Sequence, residues 1–231
     1  MITINKRNAG FTLLELMVII TIVAILAVML LPAHAAALRN GQKITCINNL
    51  KQIGIAFHIW AGNNDDRFPM AVPSASGGAN EYINSGSSSS LNYNVANVFK
   101  VMNTQLQNPK VCWCPADTLH ISFTTNWASF GPSTMSYFIG GDANESDPQM
   151  VLSGDDNIGS SSASAAATSR FISAQQYSGA IYYTWTADTH QSSGNLLLTD
   201  GSVQPATLTE ANSTFLNGTN TVSRPWYNFF P

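Results

Sequence analysis

The chain has 231 residues, enough for one membrane helix and one modest globular domain. Charged residues make up only 10% of it, against about a quarter in an ordinary soluble domain, and the formal net charge is −3. From residue 52 onward five cations face twelve acids, a net of −7, so most of the chain is mildly acidic and carries no basic patch for nucleic acid.

At the amino end, Lys6 and Arg7 precede a short polar step, Asn8-Ala9-Gly10. Residues 11–31 then form an apolar run broken by one charge, Glu15. As a helix rising about 1.5 Å per residue, that run covers roughly 30 Å, one hydrocarbon core. An ionised Glu15 in lipid is expensive unless a cation sits beside it, and charges in such segments are usually paired and functional. A plain secretory signal has an apolar region of about 7–15 residues, shorter than this one, although Ala33-His34-Ala35 mimics a small-residue cleavage site.

The run Lys6-Arg7-Asn8-Ala9-Gly10-Phe11-Thr12-Leu13-Leu14-Glu15 resembles the leader of type IV prepilins and type II secretion pseudopilins, over residues 6 to about 32. The resemblance implies cleavage after Gly10 by a prepilin peptidase and N-methylation of Phe11. It also implies pairing of Glu15 with the amino terminus of a neighbouring subunit, and Pro32 matches a proline many pilins carry. The implied setting is the bacterial inner membrane, crossed once, with an extracytoplasmic head. An assembly ATPase, its platform protein and other pilin-like subunits would then build a periplasmic or cell-surface filament.

Beyond Pro32 the pattern stays helical and becomes amphipathic. Ile44, Ile47, Leu50, Ile53, Phe57 and Trp60 recur at three- and four-residue steps, while Arg39, Lys43 and Lys51 lie off that stripe. One helix from about Phe11 to Trp60 is expected, stopped by the turn-forming cluster Gly62-Asn63-Asn64-Asp65-Asp66. His34 and His58 read as packing or surface positions on it. Residues 73–90 and 159–169 read as polar loops without core, and Val95, Val98, Phe99, Met102 and Leu106 as a short amphipathic helix. Residues 121–130, 134–139, 149–152 and 181–186 read as strands. The expected fold is α+β: a leader (1–10), a transmembrane helix (11–31), its amphipathic continuation (32–62) and a head (63–231) built on a small antiparallel sheet.

Three cysteines, Cys46, Cys112 and Cys114, are an odd count. Cys112 and Cys114 are too close in sequence for an easy bridge, so Cys46 with one of them, Cys114 being the candidate, is one reading; three unpaired buried thiols is the other. A zinc site among them lacks ligands, since only His120 lies nearby. Asn-Leu-Lys-Gln at 49–52, Asn-Asp-Asp-Arg-Phe-Pro at 64–69 and Cys-Pro-Ala-Asp at 114–117 resemble elements of a group of pseudopilin-like proteins. His190, nine residues and then Asp200-Gly201 resemble the His-x9-Asp-Gly domain of that group. Asp-Gly between apolar runs is a hairpin turn with glycine at positive φ, and His190 is expected to bond the hairpin backbone.

No cofactor is required by these motifs. Gly154-Asp155-Asp156-Asn157 with Asp188 offers hard oxygen ligands of the kind calcium takes, and the resemblance to major pseudopilins also implies calcium in a head loop. The spacing is not that of an EF-hand. A hydrolase using His190 and an aspartate lacks a Gly-x-Ser-x-Gly elbow, so no catalytic residue is assigned. The aromatic segment 226–230 reads as packing on the head. The leading expectation is a structural pilin-like subunit. Its rivals are a membrane-anchored or secreted binding protein that never polymerises and, behind it, a surface hydrolase.

Overall fold

The computed structural model describes residues 11–83, 95–120, 122–160, 171–173, 183–185, 189–190, 193–206 and 227–229. The chain divides into two compact units between Gly41 and Gln42. Helix α1 (Leu13–Gly62, 50 residues) contributes to both.

In the first unit every described side chain is exposed, Phe11 by 66% and Leu13 by 77%. So long a row of bare apolar side chains is stable only in an apolar surround, such as lipid or other helices. The one hydroxyl in its middle, Thr21, donates back to the Val18 carbonyl at 2.8 Å and so needs no outside partner. Pro32 lacks a backbone donor, yet α1 continues through it.

In the second unit α1 buries Cys46, Leu50, Ile53, Phe57 and Trp60, steps of four and three along one face. Ile44 is 59% exposed, so the stripe begins at Cys46 rather than at Ile44. The reason is phase: Ile44 stands roughly 160° around the helix from Cys46. At its end the Asn63 and Asn64 amides donate to the carbonyls of Ile59 and Trp60 at 2.9 and 2.8 Å. Asp65 and Asp66 then take φ of 56° and 53°, a left-handed conformation that aspartate tolerates better than most residues.

Two 3-10 turns (Pro69–Ala71, Asn80–Tyr82) and helices α2 (Val95–Val101) and α3 (Asn103–Leu106) pack in the same core as this face of α1, while a third 3-10 turn, Ser74–Ser76, is exposed. Ala79 and Ile83 are buried, so the segment expected to be core-free contributes to the core up to residue 83; residues 84–90 and 161–169 lie outside the described residues. The strand expected over 121–130 is not formed among residues 122–130. There Thr124 Oγ1 accepts from Asn126 N and Asn126 Oδ1 from Ala128 N, local bonds that compete with a ladder.

The strands are β1 (Tyr137–Gly140), β2 (Val151–Asp155), β3 (Ile158–Ser160), β4 (Phe171–Ser173), β5 (Tyr183–Trp185), β6 (Gly194–Leu198), β7 (Val203–Ala206) and β8 (Tyr227–Phe229). One six-stranded sheet runs β4-β8-β1-β2-β6-β7, and β3 pairs with β5. All pairings are antiparallel. The layout is thus α+β, a long helix followed by a small antiparallel sheet. Residues 227–229 are not a tail laid on the head but a strand between β4 and β1.

Alternation along the strands divides the core. Tyr137, Ile139, Leu152 and Leu197 join the α1 stripe, while Phe138, Leu196 and Leu198 pack with Trp185 in a second cluster. The β6–β7 hairpin turns at Thr199-Asp200-Gly201, where Gly201 N donates to the Leu198 carbonyl at 3.0 Å and Gly201 has φ 82°. The carboxylate of Asp200 accepts from Ser202 N at 2.8 Å, which spends it on the turn.

Candidate functional site

Two places concentrate polar chemistry. The first is the start of α1. Thr12 caps the helix: its Oγ1 accepts from Glu15 N at 3.2 Å, and Glu15 Oε2 accepts from Thr12 N at 2.9 Å and from Thr12 Oγ1 at 2.8 Å. This is a reciprocal capping box, and Thr12-Leu13-Leu14-Glu15 is its sequence signature. Glu15 thus has a local role within its own chain besides any role between chains. Phe11 is exposed, and Gly10 lies outside the described residues.

The second place is a buried polar layer where the segment 112–120 meets α1 and the end of β2. Cys46 of α1 is joined to Cys114 by a disulfide, and Cys112 is a buried free thiol. Gln42 Nε2 and Asn49 Nδ2 donate from α1 to the carbonyls of Pro115 and Trp113 at 3.1 and 2.9 Å. Ser136, just before β1, ties the other side: its N donates to the Cys112 carbonyl and its Oγ accepts from Cys114 N. Asp156 N donates to the Ser136 carbonyl at 3.2 Å.

Into this layer point Asp117, His120, Asp155, Asp156 and His190. Asp117 Oδ1 accepts from Leu119 N and His120 N at 2.7 and 3.1 Å, while its Oδ2 lies 2.8 Å from His120 Nδ1. Asp156 Oδ2 lies 3.1 Å from the same nitrogen. Asp155 Oδ2 accepts from the backbone and side chain of Asn195 at 2.8 and 2.7 Å and sits 3.5 Å from His190 Nε2. That ring nitrogen is also 3.5 Å from Cys114 Sγ, and His190 has φ 49°.

The electrostatics follow from burial and these contacts. The hydrogen bond to Asp117, joined by the one to Asp156, pushes His120 up to about 10 against the effect of burial. Burial raises Asp117, but the bonds it accepts from His120 and Ser136 outweigh that and hold it below its ordinary value. Burial lifts Asp156 to about 6 and Asp155 to about 8, and holds His190 down to about 4. At neutral pH, therefore, Asp117 and His120 form an ion pair and His190 is neutral, while burial favours the protonated form of Asp155.

The residues singled out in the sequence are distributed as follows. The His190 side chain meets Asp155 and the disulfide rather than the hairpin backbone, its Nε2 lying 3.5 Å from both Asp155 Oδ2 and Cys114 Sγ. Its own carbonyl accepts from Ser193 Oγ at 2.7 Å. Asp200 is exposed and bonded to Ser202 N, so the described contacts form no catalytic unit of His190 with Asp200. Among the calcium candidates, Asp155 braces β6, and Asn157 Nδ2 donates to the carbonyls of Thr189 and Ser193 at 3.0 and 3.1 Å. Asp156 faces His120 instead, and Asp188 lies outside the described residues. Calcium takes six to eight oxygens, and among the described residues Asp155, Asp156 and Asn157 are directed to three different partners. His58 pairs with Glu145 at 3.1 Å and lies edge-on to Phe68, and His34 is exposed. Asp117 and His120, paired with Asp156, are functional candidates that the sequence by itself does not single out. Their three-residue spacing was visible, but Asp156 is brought in only by β2.

The family described as Prokaryotic N-terminal methylation motif matches residues 5–31. No curated protein and no solved structure matches the chain. The matched motif points to a processed subunit of the type IV pilin or pseudopilin type, handled by a prepilin peptidase, and to a structural role rather than an enzymatic one. With the apolar helix that follows, long enough to cross a bilayer, it fits a membrane-anchored protein.

Proposed function

We propose that this chain is a pilin-like (pseudopilin) subunit, cut after Gly10, N-methylated at Phe11 and assembled into a type IV pilus or type II secretion filament. The observation that carries the reading is the methylation motif at residues 5–31, which runs into a helix whose described apolar side chains are all exposed as far as Leu38. Such a surface is satisfied by lipid before assembly and by neighbouring helices after it. Residues 1–10 are the leader, 11–31 the membrane segment, 32–62 its continuation and 63–231 the head, extracytoplasmic and carrying the His-x9-Asp-Gly hairpin of His190, Asp200 and Gly201. The partners are the prepilin peptidase, an assembly ATPase with its platform protein, and other pilin-like subunits.

Glu15 supplies the charge that meets the Phe11 amine of a neighbour. The capping box makes this separable from a purely local role, because glutamine at the third helical position still closes the box while carrying no charge. In the native host, mass spectrometry of the membrane and filament fractions is expected to find a chain beginning at N-methyl-Phe11. Glu15→Gln is expected to be processed but to stay out of filaments, whereas Thr12→Ala, which opens the box and keeps the charge, assembles. A soluble chain beginning after Ala35 would establish a secreted binding protein instead, and an uncut chain beginning at Met1 a static anchor.

A further inference from the structure

We propose that Asp117, His120 and Asp156 form a binding site for a divalent first-row transition-metal cation of the zinc class. The protein ligands are Asp117 Oδ2, His120 Nδ1 and Asp156 Oδ2, with water completing the coordination. The three atoms come from two places in the chain and converge within 4.8 Å of one another. Bonds of about 2.0–2.2 Å to nitrogen and oxygen give ligand-to-ligand edges of roughly 2.8–3.6 Å for octahedral or tetrahedral geometry. Both edges to His120 Nδ1, 2.8 and 3.1 Å, fall in that range.

A second observation points the same way. Two carboxylates aim one oxygen each at a single nitrogen, and that nitrogen has at most one proton to share between them. The Asp156 side chain is 4% exposed and that of Asp117 is fully buried. The other oxygen of Asp156, Oδ1, has no hydrogen-bond partner among the described residues. Nor does any lysine or arginine form an ion pair with Asp117 or Asp156 among the described residues. Two buried carboxylates around one imidazole thus leave negative charge that a divalent cation would balance. The ring nitrogen selects against calcium and magnesium, which prefer oxygen throughout. The imidazole is 18% exposed, which leaves a side open to water and to metal entry. Bound there, the cation would clamp the 112–120 segment to the end of β2, beside the Cys46–Cys114 disulfide.

The test uses the full chain in detergent, stripped with a chelator and titrated with Zn²⁺ by calorimetry and with Co²⁺ by visible absorption. One Zn²⁺ per chain is expected, with Ca²⁺ and Mg²⁺ failing to compete. Substitutions in the outer shell of metal sites cost 10–100-fold in affinity, so loss of a ligand in Asp156→Asn or His120→Gln is expected to weaken binding by at least about 100-fold. His190→Gln and Asp65→Asn are expected to bind as the wild type does. In the wild type itself, Zn²⁺ must move the ring resonances of His120 and leave those of His34 and His58 in place, a readout that does not depend on any variant folding. No stoichiometric Zn²⁺ uptake, resonances of His120 that stay put, or wild-type affinity in folded Asp156→Asn and His120→Gln would each overturn the proposal.

Discussion

Reducing the Cys46–Cys114 disulfide should cost the head about 4 kcal/mol. The two cysteines are 68 residues apart, and the bridge ties α1 to the segment that follows α3. In the chain-entropy account, cross-linking a loop of that length removes roughly 15 cal/mol/K from the unfolded chain, about 4.4 kcal/mol at 25 °C. Loop length is decisive here, since a bridge between Cys112 and Cys114 would have closed almost nothing. The assay is urea unfolding of the full chain in detergent, followed by tryptophan fluorescence with and without reductant. Trp60 and Trp185 are buried and report on the two sides of the sheet. Cys46→Ala with Cys114→Ala should unfold near the reduced wild type and be insensitive to reductant. A difference below about 1 kcal/mol between oxidised and reduced protein would refute the reasoning, because it would mean that closing this loop does not restrict the unfolded chain.

Four further outcomes are expected. Cys112 is wholly buried, and desolvation pushes its thiol far above the ordinary range. Intact mass after iodoacetamide should therefore show no adduct on native oxidised protein and one adduct in urea. Gly201→Ala forces a side chain into φ 82° and should cost about 1–2 kcal/mol, read as a lower urea midpoint at unchanged slope. Gly194→Ala should cost more, because a methyl there would overlap the Trp185 ring. Finally, His190 stays neutral in the fold down to about 4, while the unfolded chain takes up a proton below about 6.5. The unfolded state then binds more protons, so this residue makes stability fall as pH drops from about 6.5 towards 4. Unfolding midpoints of wild type and His190→Gln should diverge across that window and run parallel above it.

The sequence alone determined the long helix and the class of fold. Residues 11–31 are too apolar to be anything but a helix in an apolar surround, and the three- and four-residue spacing from Leu50 to Trp60 specifies a buried face. Both are local patterns, readable because helix geometry repeats every 3.6 residues. The methylation motif is likewise a contiguous string, and its Thr12-x-x-Glu15 capping signature was there to be read. What only the tertiary structure decided is which distant segments meet. The last strand inserts between β4 and β1, Cys46 displaces Ile44 from the buried stripe, and residues 122–130 bond to themselves instead of extending. Asp156 reaches His120 for the same reason. Its place is set by strand register and by the bonds through Ser136, and no spacing within one segment records contacts made between two.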